Sequence, residues 1–292
     1  MSVLVIGADG LVGRSVVSML ATKGRIVRST TRRRSEGGPH LFLDLAATSV
    51  EDIPLPDAET AIICAAVNGF ARCRADPQAA HLVNVKATEV LARRLVSQGC
   101  RVIYLSSSAV FDFRHAHVPA DRPHCPTTVY GKSKALAEDC VLAADASNTV
   151  VRLTKVLAQN TSHFGTWLIA LKSNATVRAY SDLHLCPITL DYASDAIIRI
   201  MDQGNGGIYQ VSGADDVSYA EAARHLARRM GKDEAYVIAE RAVSDGIPPE
   251  EVATFTSLDS SRYTALTKEP APGPFDVLNA VFDPLIHQLL RE

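Results

Sequence analysis

The chain has 292 residues, 47% hydrophobic and 21% charged, and its 30 Lys plus Arg against 32 Asp plus Glu leave a formal net charge of -2. This is the composition of a globular protein with a large core, and the lack of a basic excess excludes a general nucleic-acid binder. The longest apolar stretches, such as Ala61 to Val67, are strand-sized, far short of the roughly 20 residues a membrane span needs. Met1-Ser2-Val3-Leu4-Val5-Ile6 lacks the basic start of a signal peptide and soon reaches Gly7 and Asp9. Cys64, Cys73, Cys100, Cys125, Cys140 and Cys186 are scattered without CxxC pairs, so they read as reduced thiols of a cytoplasmic protein.

Ser2 to Ile6 reads as a buried strand, and Gly7-Ala8-Asp9-Gly10-Leu11-Val12-Gly13 follows it into an amphipathic helix over Leu11 to Lys23. In a strand–turn–helix the three glycines allow a tight turn, close approach of backbone to a pyrophosphate, and close packing of helix on strand. The helix N-terminus then presents NH groups and partial positive charge to the phosphates. The second strand, Arg25 to Thr30, runs on into Thr31-Arg32-Arg33-Arg34. An NAD-selective site carries Asp or Glu at the end of that strand to bind the ribose 2′-hydroxyl. No acid occurs between Asp9 and Glu36, and a guanidinium suits a 2′-phosphate in charge and geometry. NADP is therefore expected, NADPH preferred over NADH, with Arg32 as the anchor and the other arginines in a solvated loop.

Leu41 to Leu43, Thr60 to Cys64, Arg101 to Ser106 and Thr149 to Leu153 continue the strands. Pro77 to Gln98 and Lys132 to Leu142 have helical periodicity, the former with Asp76 as N-cap and Gly99 as stop. The βαβα rhythm predicts an α/β fold, a Rossmann-type doubly wound parallel sheet. A further strand over Gly207 to Val211 and a helix over Tyr219 to Met230 precede residues 243–275, which read as loops and short elements capping a cleft.

Tyr130-Gly131-Lys132-Ser133-Lys134 puts Tyr130 and Lys134 one helical turn apart. A phenol ionises near pH ~10, and a neighbouring ammonium joined by an oxidised nicotinamide is expected to lower that value and fit Tyr130 for proton transfer. Ser106-Ser107-Ser108 ends the fifth strand, at the sheet edge where open α/β folds bind ligands.

On these residues the chain resembles the extended short-chain dehydrogenase/reductase family, in its dTDP-4-dehydrorhamnose reductase-like branch. Gly7, Gly10 and Gly13 carry the likeness with Asp44-Leu45, Ala65-Ala66, Asn84, Ser106 to Asp112 and Tyr130 to Lys134, and after them Arg152, Cys186 to Asp191 and Gly207-Ile208-Tyr209. The resemblance implies an NADP-binding Rossmann domain over 1–155, with 186–211 returning to it. Residues 156–185 and 212–292 would form a smaller domain for a nucleotide sugar. It assigns the catalytic serine to Ser107, an adenine contact to Asp44 with Leu45, and a cofactor-lining loop to Cys64, Ala65 and Ala66. Ala8, Asp9, Leu11, Val12, Asn84, Tyr130 and Lys134 join the cofactor set. The expected reaction is hydride transfer to a nucleotide-linked 4-keto sugar with Tyr130 as acid.

Ser108 and Ala109 stand where the branch has Asp-Tyr, and Phe113 where it has Gly, so the likeness does not carry the rhamnose substrate across. The Asp-Glu pair of a 4,6-dehydratase is absent there too. The alternatives are a nucleotide-sugar epimerase on the same fold, which the missing acid after strand two disfavours, and a non-catalytic NADP sensor, which the retained Tyr and Lys disfavour. A homodimer through the helices at 77–98 and 132–142 is left open. Asn84 reads equally as a water-positioning group or as a buried amide satisfying backbone. His115, His117, His124 and Cys125 lie in a proline-bearing loop without paired-ligand spacing, and no metal is expected. Cys64 reads as a small core residue, Asp191 and Asp195 as capping or dipole partners, and Arg262 as a surface arginine rather than a diphosphate ligand.

Overall fold

The computed structural model describes residues 1–33, 40–46, 50–51, 53–159 and 162–289. Arg34 lies outside them. The first half runs β1 (Ser2–Ile6), α1 (Leu11–Thr22), β2 (Ile26–Thr31), β3 (Leu41–Phe42), β4 (Thr60–Ile63), α2 (Phe70–Ala75), α3 (Pro77–His81), α4 (Thr88–Ser97), β5 (Arg101–Ser107), α5 (Val129–Ala144) and β6 (Thr149–Leu153). Then come β7 (Lys155–Leu157), α6 (Ser162–Lys172), β8 (Val177–Tyr180), β9 (His184–Leu185), β10 (Pro187–Thr189), α7 (Leu190–Gln203), β11 (Gly207–Val211), β12 (Val217–Ser218), α8 (Tyr219–Arg229), β13 (Val237–Glu240), α9 (Ser261–Thr267) and α10 (Pro274–Leu289).

Seven strands pair in the order β11-β6-β5-β4-β1-β2-β3, all parallel. Alternate residues of each strand serve opposite cores. Leu4, Ile6, Ala61, Ile63, Val102 and Tyr104 pack under Leu91 and Leu95 of α4 and Ala137 and Val141 of α5. Val3, Val5, Ile62, Ile103 and Leu105 pack under Val16 and Leu20 of α1 and Ile197 and Met201 of α7. Burial on both faces explains why these strands read as near-continuous apolar runs. The strand order reverses between β1 and β4, which opens a crevice at their carboxyl ends.

A third core draws all its buried members from Leu157 onward, among them Phe164, Val177, Leu226 and Phe282. α9 departs from the expected partition, because Tyr263 packs into the α1/α7 core of the sheet. The helix expected over 77–98 is interrupted by a π turn, Leu82–Ala87, between α3 and α4; such widened turns recur at functional sites. α5 starts earlier than its apolar period suggests, because Thr128 accepts from Gly131 N at 3.0 Å and caps the helix just before Tyr130. No helix among the described residues is long and apolar enough to cross a membrane.

Candidate active site

The glycine turn is built by contact. Gly7 has φ +93°, and a Cβ there would lie 2.7 Å from Ala65 N; a Cβ on Gly13 would lie 2.3 Å from Gly7 O. Gly7 N donates to Thr30 Oγ1 at 3.1 Å and Ala8 N to Thr30 O at 3.0 Å, locking the turn to β2. α1 begins at Gly10 with no side chain on its first-turn amides, so those NH groups are left for an anionic ligand. They face a cavity of about 730 Å³.

Gly10, Leu11, Val12, Cys64, Ala66, Ser107, Tyr130 and Lys134 line that cavity. Gly7, Ala8, Asp9, Arg32, Asp44, Leu45, Ala65 and Asn84 are not among the residues that line it. Ala65 packs beneath Gly7, and Leu45 is buried in the sheet core. Half-buried Asp44 accepts from Ala46 N at 3.0 Å, and Arg32 is exposed beyond β2. Half-buried Cys64 packs against the α1/α7 core and also lines the cavity wall, because its strand has reached the open carboxyl edge.

Asn84 resolves to the backbone-satisfying alternative. Its Oδ1 accepts from Val67 N at 2.7 Å, and its Nδ2 donates to Val67 O at 3.0 Å and Ser133 Oγ at 3.1 Å. Ser133 Oγ donates in turn to Tyr130 O at 2.8 Å. The π turn thus pins the loop after β4 to the first turn of α5.

Tyr130 and Lys134 share one face of α5. Lys134 is buried, donates to Leu105 O at 2.6 Å and lies 4.2 Å over the Tyr104 ring. Burial brings its ammonium down to about 7, against the opposing pull of Glu138. Burial likewise pushes the Tyr130 phenol up to about 12, with a hydrogen bond to Ser107 working the other way. The lowering expected from sequence belongs to the site with an oxidised nicotinamide beside the ammonium; in the chain alone the ammonium donates to the β5 carbonyl and desolvation dominates at the tyrosine. The phenol donates to Asn68 Oδ1 at 3.5 Å.

The walls come from segments without a recognisable motif. Phe70 lies 5.9 Å from the Tyr130 ring and 6.0 Å from Phe113, with Ala109, Ala253 and Leu183 completing an apolar patch. Phe113 holds φ +61°, a left-handed conformation that costs a bulky residue about 1–3 kcal/mol. Lys155, His184, Tyr219 and Thr256 also line the cavity. Residues 245–256 border the cavity, where Arg74 pairs with Glu251 and Thr127 Oγ1 donates to Glu250 O at 2.9 Å. The apolar signal of Phe70 and Phe113 was visible in the sequence, but nothing local ties either residue to Tyr130.

Among the described residues no His, Cys, Asp and Glu side chains gather as a metal site requires. His124 instead joins a buried network in which Arg152 donates to Glu138 at 2.7 Å and to Ala120 O at 3.0 Å. Burial raises the Glu138 carboxyl, but hydrogen bonds from His124 and Arg152 outweigh it and hold the group below its ordinary value. His115 and His117 are exposed. Asp191 sits in the first turn of α7, whose N-cap is Thr189, while Asp195 pairs with Arg199 and Lys23. Arg262 stacks on Tyr209 and donates to Gly206 O and Ile208 O, at the end of β11 away from the cavity.

A family model described as the RmlD substrate binding domain matches residues 1–271. The chain belongs to this family. It is 27% identical over 283 residues to a dTDP-4-dehydrorhamnose reductase of Burkholderia thailandensis, covering 93% of this chain and 89% of the relative. A Bacillus anthracis dTDP-4-dehydrorhamnose reductase in complex with NADP shares the fold at TM-score 0.81 and 17% identity, over 97% of this chain and 98% of its own. MoeE5 in complex with UDP-glucose and NAD does so at TM-score 0.81 and 22% identity, over 99% and 100%. Membership and fold make this RmlD-family chain an oxidoreductase of the nicotinamide-dependent short-chain type.

Proposed function

We propose that this RmlD-family chain is an NADP-dependent reductase of a nucleotide-linked 4-keto sugar, with Tyr130 as the general acid. One observation carries the reading: Ser107, Tyr130 and Lys134 converge on the cavity that the uncapped N-terminus of α1 also faces. The B. thailandensis relative, named as a dTDP-4-dehydrorhamnose reductase, supports the substrate class, and the NADP in the B. anthracis structure supports the cofactor.

The residues fit a dinucleotide. The first-turn amides of α1 would hold the pyrophosphate, and Arg32 would hold the 2′-phosphate. When bound, NADPH supplies the hydride that reduces the carbonyl carbon. Tyr130 Oη delivers the proton to the carbonyl oxygen, Ser107 hydrogen-bonds the phenol and steadies that oxygen, and Lys134 lies on the same helix face beneath them. The apolar patch of Phe70, Phe113 and Ala109 excludes water beside the reacting atoms.

The test is NADPH consumption with a panel of nucleotide-linked 4-keto-6-deoxysugars. Wild-type protein is expected to turn one of them over, and Tyr130→Phe to lose at least about 100-fold in kcat while keeping its NADPH affinity. Tight NADPH binding with no turnover of any ketone would favour the sensor reading instead.

A further inference from the structure

The sequence between Asp9 and Glu36 contains no acid, yet the fold places a carboxylate at the end of β2. Asp9 leaves the glycine turn and accepts from Thr31 Oγ1 at 2.5 Å and from Arg32 N at 3.1 Å, both through Oδ2. Thr31 is the last residue of β2 and Arg32 the first beyond it. In a dinucleotide-binding βαβ unit this is the corner occupied by the adenosine ribose, where an acid borne by the strand normally receives the 2′-hydroxyl. Here the acid arrives from the phosphate-binding turn instead. Among the described residues no hydrogen bond falls on its Oδ1. Among the described residues the nearby cations are Arg32 and Arg33, both exposed, and Arg14, whose Nη2 donates to Asp9 O at 3.1 Å.

We propose that Asp9 sets the dinucleotide preference. Its carboxylate offers an acceptor to a free 2′-hydroxyl and repels a 2′-phosphate, while Arg32 attracts that phosphate. With both charges at one corner, the chain takes NADH as well as NADPH and prefers NADPH only moderately. This rests on the nicotinamide-binding part of the function proposed above, but not on the identity of the ketone.

Asp9→Asn keeps an oxygen to accept from Thr31 and Arg32 N but removes the charge. Titration of wild type and variant with NADPH and with NADH, followed by nicotinamide fluorescence in the absence of any ketone, gives the four Kd values. The expected result is a shift of about tenfold in the NADH-to-NADPH Kd ratio toward NADPH, the size of one unscreened charge contact at a partly exposed site. A purely structural role would move both Kd values together. An NADH-to-NADPH ratio that stays within about twofold of wild type, with both cofactors still bound, overturns the role of Asp9 and leaves the reductase reading standing. Failure of the wild type to bind either dinucleotide overturns both.

Discussion

At Lys134 the ammonium is buried against the Tyr104 ring with the Leu105 carbonyl as its hydrogen-bond partner. Its ordinary value of 10.5 falls to about 7 through burial. Because the folded value lies below the unfolded one, the unfolded chain binds more protons between those two pH values. The charged lysine therefore opposes folding fully below about 7, and the opposition fades as pH rises toward 10.5. Lys134→Met keeps the stem and removes the charge, so it should melt no lower than wild type at pH 7 while losing about 100-fold in kcat. Thermal melts at several pH values should show wild type gaining on the variant as pH climbs from about 7 to 10.

The coupling of α5 to β6 rests on a buried ion pair. Arg152 and Glu138 are 1% and 0% exposed, and the guanidinium also reaches Gln210 of β11 at 3.2 Å. Removing one partner leaves the other charge buried without compensation, so Glu138→Ala is expected to cost about 3–5 kcal/mol in urea unfolding. In the Arg74–Glu251 pair only Glu251 is buried, at the edge of the cavity, so Arg74→Ala is expected to cost less, about 1–3 kcal/mol. Helix periodicity located α5 and the 77–98 stretch, since apolar spacing is a local property. It did not show the π turn or the early start of α5. Those depend on Asn84 meeting Val67 and on the Thr128 cap, contacts that leave no periodic trace.

Across the whole molecule, the cavity is bounded by the sheet's carboxyl edge and by segments of the later core. His184 N donates to Ala253 O at 2.8 Å and Phe255 N to Phe113 O at 3.0 Å, so residues 253–255 tie the two regions together beside the site. A ligand bound there engages both. NADPH at about 100 times its Kd should stabilise the fold by about 2.7 kcal/mol, seen as a rise in Tm shared equally by wild type and Tyr130→Phe. The strands of the sheet, the glycine turn and the Tyr130/Lys134 spacing were readable from residues alone. Each is a short-range pattern: two-sided apolar strands, a turn of seven residues, and two side chains four positions apart. The apolar patch, the return of Asp9 to β2 and the raised phenol pKa were not readable. They arise where Phe70, Phe113, Leu183 and Ala253 meet across long stretches of chain, or from how deeply a group is buried, and both follow from packing in three dimensions rather than from neighbours in sequence.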